Sequence, residues 1–307
     1  MKKRVGLIDF GSNTFHLIIA EITTSQWQVI FHQRDYVFLA QTGITHIADE
    51  AMNRGLKAVK NFHSICTQHQ VDEILAVGTA ALRTADNSNE FTSMIRQEYG
   101  IHTRVIDGEK EANYIYQGMG IACPDFKKNA LFMDIGGGST EFIITHSDKK
   151  VFQVSLPIGL GVLKNAIPFS DPVTREEIHQ FNEFLDKHAA IISLAIHEQA
   201  PKTLIGGSGT FDVLAEALTG EVFDAANCSS IEPGQVRRYI TDRLYTTTNE
   251  RLEDPSIPDK RVPLIIHAFL LIIWLMDHHQ FQQVAFSKYA LKEGFIQEYY
   301  EQWLKEQ

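Results

Sequence analysis

Residues 130–144 read "ALFMDIGGGSTEFII": an apolar run ends in Asp134, three glycines follow, and a second apolar run begins after Glu141. Two apolar runs joined by a short turn of small residues make a β-hairpin pattern. Consecutive glycines cost backbone entropy and leave N–H groups bare, so such a turn is kept where naked backbone is needed. The stretch has a twin. "VGLIDFGSNTFHLII" at 5–19 aligns with it without a gap, setting Asp9 on Asp134, Gly11 on Gly136, Thr14 on Ser139 and His16 on Glu141. Two such hairpins, far apart in one chain, predict a duplicated domain.

The flanking segments repeat in the same order. After the first hairpin come a strand at 27–33, a helix over 48–69, a strand at 73–78, a helix near 87–99, a strand at 103–106 and a helix from about Glu109. After the second come a strand at 150–156, a long helix over 174–198, a strand at 202–207 and a helix over 210–218. An apolar helix at 262–276, a strand at 283–287 and a terminal helix complete the chain. Three strands, helix, strand, helix, strand is an α/β plan with mixed sheets. The predicted domains are 1–125 and 126–307, hinged at "ACPDFKKN" (122–129), with a cleft between them.

A length of 307 residues with 44% hydrophobic content supports a large core in two domains. With 28 Lys+Arg against 38 Asp+Glu the net charge is −10, which argues against a nucleic-acid-coating surface. "MKKRVGLIDFG" is no signal peptide. "VPLIIHAFLLIIWLM" (262–276) is too short to span a bilayer and carries His267, so it reads as a buried helix rather than a membrane anchor. Cys66, Cys123 and Cys228 are odd in number and far apart. They read as buried small hydrophobes in a reducing, cytoplasmic setting.

Turns of Gly, Ser and Asn with free N–H groups are nests for anionic oxygens, and an Asp ending a buried strand beside one can hold Mg²⁺. The first turn offers Gly11, Ser12, Asn13 and Thr14 behind Asp9; the second offers Gly136, Gly137, Gly138 and Ser139 behind Asp134. "LIGGSGTFD" (204–212) adds Gly207, Ser208, Gly209 and Thr210 where a strand gives way to a helix. Ser208 and Thr210 suit a phosphate, or Thr210 caps that helix. The other histidines, at 277–280, His188 and His197, lack metal-ligand spacing.

"DFGSNT", "DIGGGSTE" and "GGSGT" resemble the two phosphate motifs and the third glycine motif of the actin-like ATPase superfamily. Within it, "GSNTFHL", "GTAALR", "DGEKEA" and "DIGGGSTEF" together resemble the exopolyphosphatase / guanosine pentaphosphate phosphohydrolase (Ppx/GppA) family, from Val5 to "SKYALKEGF" at 287–295. The resemblance implies two actin-like (ribonuclease H-like) domains that hydrolyse terminal phosphates of polyphosphate or the 5′ γ-phosphate of guanosine pentaphosphate. It implies Mg²⁺ as cofactor, with K⁺ as a further candidate; a homodimer is one candidate assembly. By the same match Glu111 activates the attacking water, and Asp134 and Glu141 place Mg²⁺ and water, with Asp9 a further metal ligand. Arg83 would grip phosphate, and His16 stands where relatives carry Arg or His. Lys110 replaces a residue that is often acidic in the family. Longer members continue into a helical domain resembling HD-type hydrolases; this chain ends soon after "LKEGF", which favours short polyphosphates. Rival readings are a small-molecule kinase of the superfamily and a non-catalytic sensor of guanosine tetra- or pentaphosphate.

Overall fold

Both predicted hairpins form, and each founds a mixed sheet. The computed structural model of the protein describes residues 2–41, 43–220 and 228–307. By packing, the chain divides into two units, residues 1–114 with 291–307, and residues 115–290.

The first unit runs β1 (Lys2–Phe10), β2 (Thr14–Thr23), β3 (Trp27–Tyr36), α1 (Asp49–Gln68), β4 (Glu73–Gly78), α2 (Ala80–Thr84), α3 (Ser88–Tyr99) and β5 (Thr103–Val105), then enters α4 (Gly108–Ala122). Its sheet has the order β3-β2-β1-β4-β5, with β1–β3 antiparallel and β4 and β5 parallel to β1. Alternation in the strands sends Ile8, Phe10, Phe15 and Leu17 into one core with Phe62 of α1 and Phe91 of α3. Phe10 and Phe15 meet edge-on at 4.8 Å.

The second unit continues α4 into a 3₁₀ turn (Lys127–Asn129), β6 (Ala130–Ile135), β7 (Thr140–His146), β8 (Lys149–Leu156), α5 (Leu160–Ala166), α6 (Arg175–His188), α7 (Ala190–Gln199), β9 (Thr203–Gly207) and α8 (Gly209–Thr219). After the undescribed segment come β10 (Ser229–Ile231), α9 (Pro233–Leu244), α10 (Thr248–Glu253), α11 (Val262–His278) and β11 (Gln283–Ser287). The sheet order β10-β11-β9-β6-β7-β8 repeats the first plan, with β9 and β11 in the places of β4 and β5. The last helix, α12 (Leu291–Lys305), returns to the first unit. There Tyr114 packs on Phe295 at 5.1 Å, Trp27 donates to Gln297 at 2.7 Å, and Lys3 and Tyr299 share Glu73.

Several expectations change. The expected boundary at 125/126 left the terminal helix with the second half; in the structure α12 packs with the first unit, and the division falls inside α4, between Tyr114 and Ile115. The expected hinge at 122–129 lies within the second unit and is braced. The amide of Asp148 donates to the Lys128 carbonyl at 3.1 Å and that of Lys202 to the Asn129 carbonyl at 2.8 Å. Cys123 is joined to Cys228 in a disulfide, so the reading of three unpaired cysteines holds only for buried Cys66. A separation of 105 residues gives no local sign of that pairing; it arises because α4 ends against β11, the strand that β10 pairs with. The helix predicted over 174–198 breaks at Ala189, which leaves helical geometry (φ −120°) while fully buried. Helical periodicity runs on through a one-residue break, so composition could not reveal it.

The apolar helix α11 is buried as expected, with His267 Nε2 donating to the Ile167 carbonyl at 2.9 Å and the ring stacked on Phe169. Burial pushes its pKa down to about 4, so it is a neutral core histidine. Among the described residues no helix is long and apolar enough to cross a membrane.

Two glycines in α4 give opposite expectations. A Cβ on Gly118 would lie 1.9 Å from the Ala290 carbonyl oxygen, whereas one on Gly120 would meet nothing within 4 Å. Gly120→Ala should stabilise the protein by up to about 1 kcal/mol through helix propensity. Gly118→Ala should destabilise it by about 1–3 kcal/mol, because backbone must shift. Calorimetric Tm values for the two variants should therefore move in opposite directions.

Candidate active site

The loops that carry the predicted site residues leave the C-terminal ends of parallel strands, where open α/β sheets present ligand sites. In the first unit these are the ends of β1, β4 and β5, followed by residues 11–14, 79–84 and 106–111. In the second they are the ends of β6, β9 and β11.

The two hairpin turns share one construction. The Gly11 amide donates to the Thr14 carbonyl at 3.1 Å, and the Gly136 amide donates to the Ser139 carbonyl at 2.9 Å. A Cβ would stand 2.7 Å from the Thr14 oxygen in one turn and 2.8 Å from the Ser139 oxygen in the other. Any side chain there would force the turn open. Backbone from beyond the third strand then grips each turn. Ala40 donates to the Ser12 carbonyl at 3.1 Å, and Val37 and Phe38 donate to that of Asn13. In the second unit Gly159, Leu160 and Gly161 donate to the carbonyls of Gly138, Gly136 and Gly137 at 3.3, 2.9 and 2.8 Å. A Cβ on Gly159 would lie 2.5 Å from the backbone of Gly137 and Gly138. Part of what the triple glycine accommodates is therefore its own chain.

Asp9 faces His16 across β1 and β2, and His16 shares a 2.9 Å hydrogen bond with the Thr14 hydroxyl. Oδ1 of Asp9 is buried without a protein partner. Burial pushes the Asp9 pKa up to about 6, with Lys292 opposing the rise and Glu293 adding to it. The equivalent pair in the second unit is Asp134 and Glu141, directly opposed across β6 and β7 and buried at 8% and 1% exposure. Ser155 of β8 donates to Glu141 at 2.7 Å. Two buried acids facing each other across strands repel, which is the environment a cation relieves. The orphaned Asp9 oxygen and this acidic pair both fit a hard cation. Among the described residues no three His, Cys, Asp or Glu side chains form a metal cage.

Glu111 lies in the first turn of α4, which Asp107 opens by accepting the Lys110 amide at 2.7 Å. Its side chain is 8% exposed, and Nη1 of Arg83 donates to its Oε2 at 2.9 Å and to the Ile106 carbonyl at 2.8 Å. Arg83, read from the sequence as a phosphate grip, thus holds the predicted base. Lys110 is turned to Glu298 of α12, which also accepts from Tyr114, so its charge is matched on another helix.

At the third turn Ser208 (φ 62°) and Gly209 (φ 29°) open α8, and Gly207 ends β9. Ser208 occupies the N-cap position; Thr210, buried, lies inside the helix and caps nothing. The Arg261 guanidinium would be 2.5 Å from a Cβ on Gly209, so a cation covers this turn.

Sequence reasoning missed Gly159, Gly161, Ser155 and Arg261. "PIGLGV" (157–162), a paired-glycine stretch ahead of a helix, was a readable signal for the first two. Arg261 reaches Gly209 only through folding and carried none.

The model of the Ppx/GppA phosphatase family matches residues 18–302. The chain belongs to the Ppx/GppA phosphatase family. Its fold superposes on an exopolyphosphatase of Cytophaga hutchinsonii with a TM-score of 0.92, at 31% identity, covering 97% of this chain and 98% of that one. It superposes on the Aquifex aeolicus Ppx/GppA family member with a TM-score of 0.80, at 25% identity, covering 100% and 99%. A guanosine-5′-triphosphate,3′-diphosphate pyrophosphatase of Pseudoalteromonas atlantica is 28% identical over 296 residues; this chain spans 94% of its own length but 57% of that relative's. As a Ppx/GppA protein the chain is a phosphatase that hydrolyses phosphoanhydride bonds.

The raised Asp9 pKa carries a stability consequence in this phosphatase. A folded value near 6 above the ordinary 3.8 means that ionised Asp9 costs stability above pH 6, and that the cost fades as pH falls toward 4. Asp9→Asn should therefore be the more stable protein at pH 7.5 without metal, by up to about 3 kcal/mol. That margin should shrink at pH 4.5. Calorimetric Tm of both proteins in chelator at the two pH values checks it.

Proposed function

We propose that the chain is an exopolyphosphatase, releasing terminal phosphate from inorganic polyphosphate by attack of water. The observation that carries this reading is the buried Glu111 carboxylate, fixed by Arg83 at the head of α4 beside the strand ends. Phosphoryl transfer needs positioning, charge stabilisation and one group to orient the nucleophile. Glu111 supplies the last by accepting a proton from the attacking water. Within each unit the turns offer N–H groups for phosphate oxygens: 11–14 in the first, with the Lys292 cation, and 136–139 and 207–210 in the second, with the Arg261 cation. In the second unit Asp134 and Glu141, and in the first unit Asp9, are the candidates for holding Mg²⁺, which when bound would neutralise phosphate charge. A glutamate fixed as base would hand the phosphoryl group to water, whereas a kinase of the superfamily would need an acceptor pocket that excludes water.

Polyphosphate is favoured as substrate by end-to-end correspondence with the Cytophaga hutchinsonii exopolyphosphatase. Guanosine pentaphosphate is the second reading, supported by the Pseudoalteromonas atlantica relative. Phosphate release from tripolyphosphate, long polyphosphate, guanosine pentaphosphate and ATP under Mg²⁺ separates them; kcat/KM should be highest on polyphosphate, and a higher value on guanosine pentaphosphate would reverse the choice. Glu111→Gln should retain polyphosphate binding and lose about 10²–10⁴-fold in kcat, the usual contribution of a general base. Near-normal turnover would remove Glu111 from the chemistry, and absence of turnover in the unmutated protein would leave the sensor reading.

A further inference from the structure

Arg83 and Glu111 are brought together by three separate strand ends. The short helix α2 starts where the Thr79 amide donates to the Phe10 carbonyl at 3.3 Å, beside the first hairpin turn. Arg83 closes that helix, its own amide donating to the Thr79 carbonyl at 2.9 Å. The loop into α4 is tied to the end of β4 by the Ile106 amide, which donates to the Gly78 carbonyl at 3.0 Å. Across this frame a single nitrogen, Nη1 of Arg83, bonds both the Ile106 carbonyl and the Glu111 carboxylate.

That geometry is unlike a guanidinium kept only for phosphate. Such a group presents paired N–H donors to the anion. Here one Nη is committed to two protein acceptors, one of them a backbone oxygen fixed by the fold. The carbonyl anchors the guanidinium, and the anchored guanidinium fixes the carboxylate. A glutamate has freely rotating side-chain bonds, and a base must sit within a fraction of an ångström of its working position. Arg83 is itself 27% exposed at the side chain, against 8% for Glu111, so it reaches the buried acid from the wetter side.

We propose that Arg83 is a positioning residue that acts on turnover through Glu111, by holding its carboxylate in the orientation that takes the proton from water. The inference rests on the reading of Glu111 as the base. Removing Arg83 should then lower kcat and leave substrate affinity nearly intact, and it should matter only while a carboxylate is present at 111. Two groups that act as a unit give non-additive losses in a double-mutant cycle.

The experiment compares the full chain with Arg83→Ala, Glu111→Gln and the double variant, measuring kcat and KM for tripolyphosphate hydrolysis under Mg²⁺. The expected result is a kcat loss of tenfold or more for Arg83→Ala with KM changed less than about threefold. The double variant should match Glu111→Gln within about twofold. Added guanidinium ion should restore part of the activity of Arg83→Ala and none to the double variant. If Arg83→Ala does not fold, Arg83→Lys is read in the same cycle without the rescue arm, since a point charge on a flexible stem does not reproduce the anchored fork. A rise in KM at constant kcat, or a double variant weakened by the product of the two single losses, would show that Arg83 works on phosphate independently and would overturn the proposal while leaving Glu111 as base. Full activity in Glu111→Gln would overturn both.

Discussion

A carbonyl oxygen sits 2.7–2.8 Å from where a side chain would begin at Gly11 and at Gly136. That steric constraint fixes both hairpin turns, and in each unit the candidate residues are arranged around its own turn. Because the turn is tight, the strand after it runs back in register, so Asp9 faces His16 and Asp134 faces Glu141. Because it is bare, backbone from residues 37–40 and 159–161 can lie directly on it. A methyl group at Gly159 would strike that layer as surely as one at Gly136.

The duplication explains why this construction appears twice, and the differences between copies show what each was adapted to do. Thr14, bonded to His16, stands where Ser139 stands in the second turn, and His16 where Glu141 does. One copy therefore opposes an acid to an imidazole and the other opposes two acids. The second arrangement sets two carboxyl groups opposite each other in the buried sheet, and buried acids placed together are more characteristic of sites built for a ligand than of groups kept for stability. The raised pKa of Asp9 belongs to the same class: a buried oxygen without a protein partner, beside the glycine turn at 11–14.

Arg83 and Glu111 form a different kind of unit. Their pairing links the loops after β4 and β5, so the position of the base depends on the same sheet register that positions the first turn. The neighbouring Lys110 is engaged by Glu298 on α12. The terminal helix thus carries a charge that faces the start of α4, while its packing with the first unit rests on buried Leu291, Phe295, Ile296 and Trp303.

The α/β plan, the two hairpins, the order of strands and helices, and the glycine turns were all legible along the chain, because each rests on local periodicity or on the conformational freedom of neighbouring glycines. Asp9, Asp134 and Glu141 are candidates read from those same hairpins, whereas Glu111 is singled out only by the family resemblance of "DGEKEA". Contacts between distant residues were not legible. The bond from Arg83 to Glu111, the guanidinium of Arg261 over Gly209, the Cys123–Cys228 disulfide and the return of α12 to the first sheet join segments whose sequences carry no mark of one another. A side chain's type and spacing record what its own segment will do; which partner it meets is set by strand order and register, and those exist only once the sheets have formed.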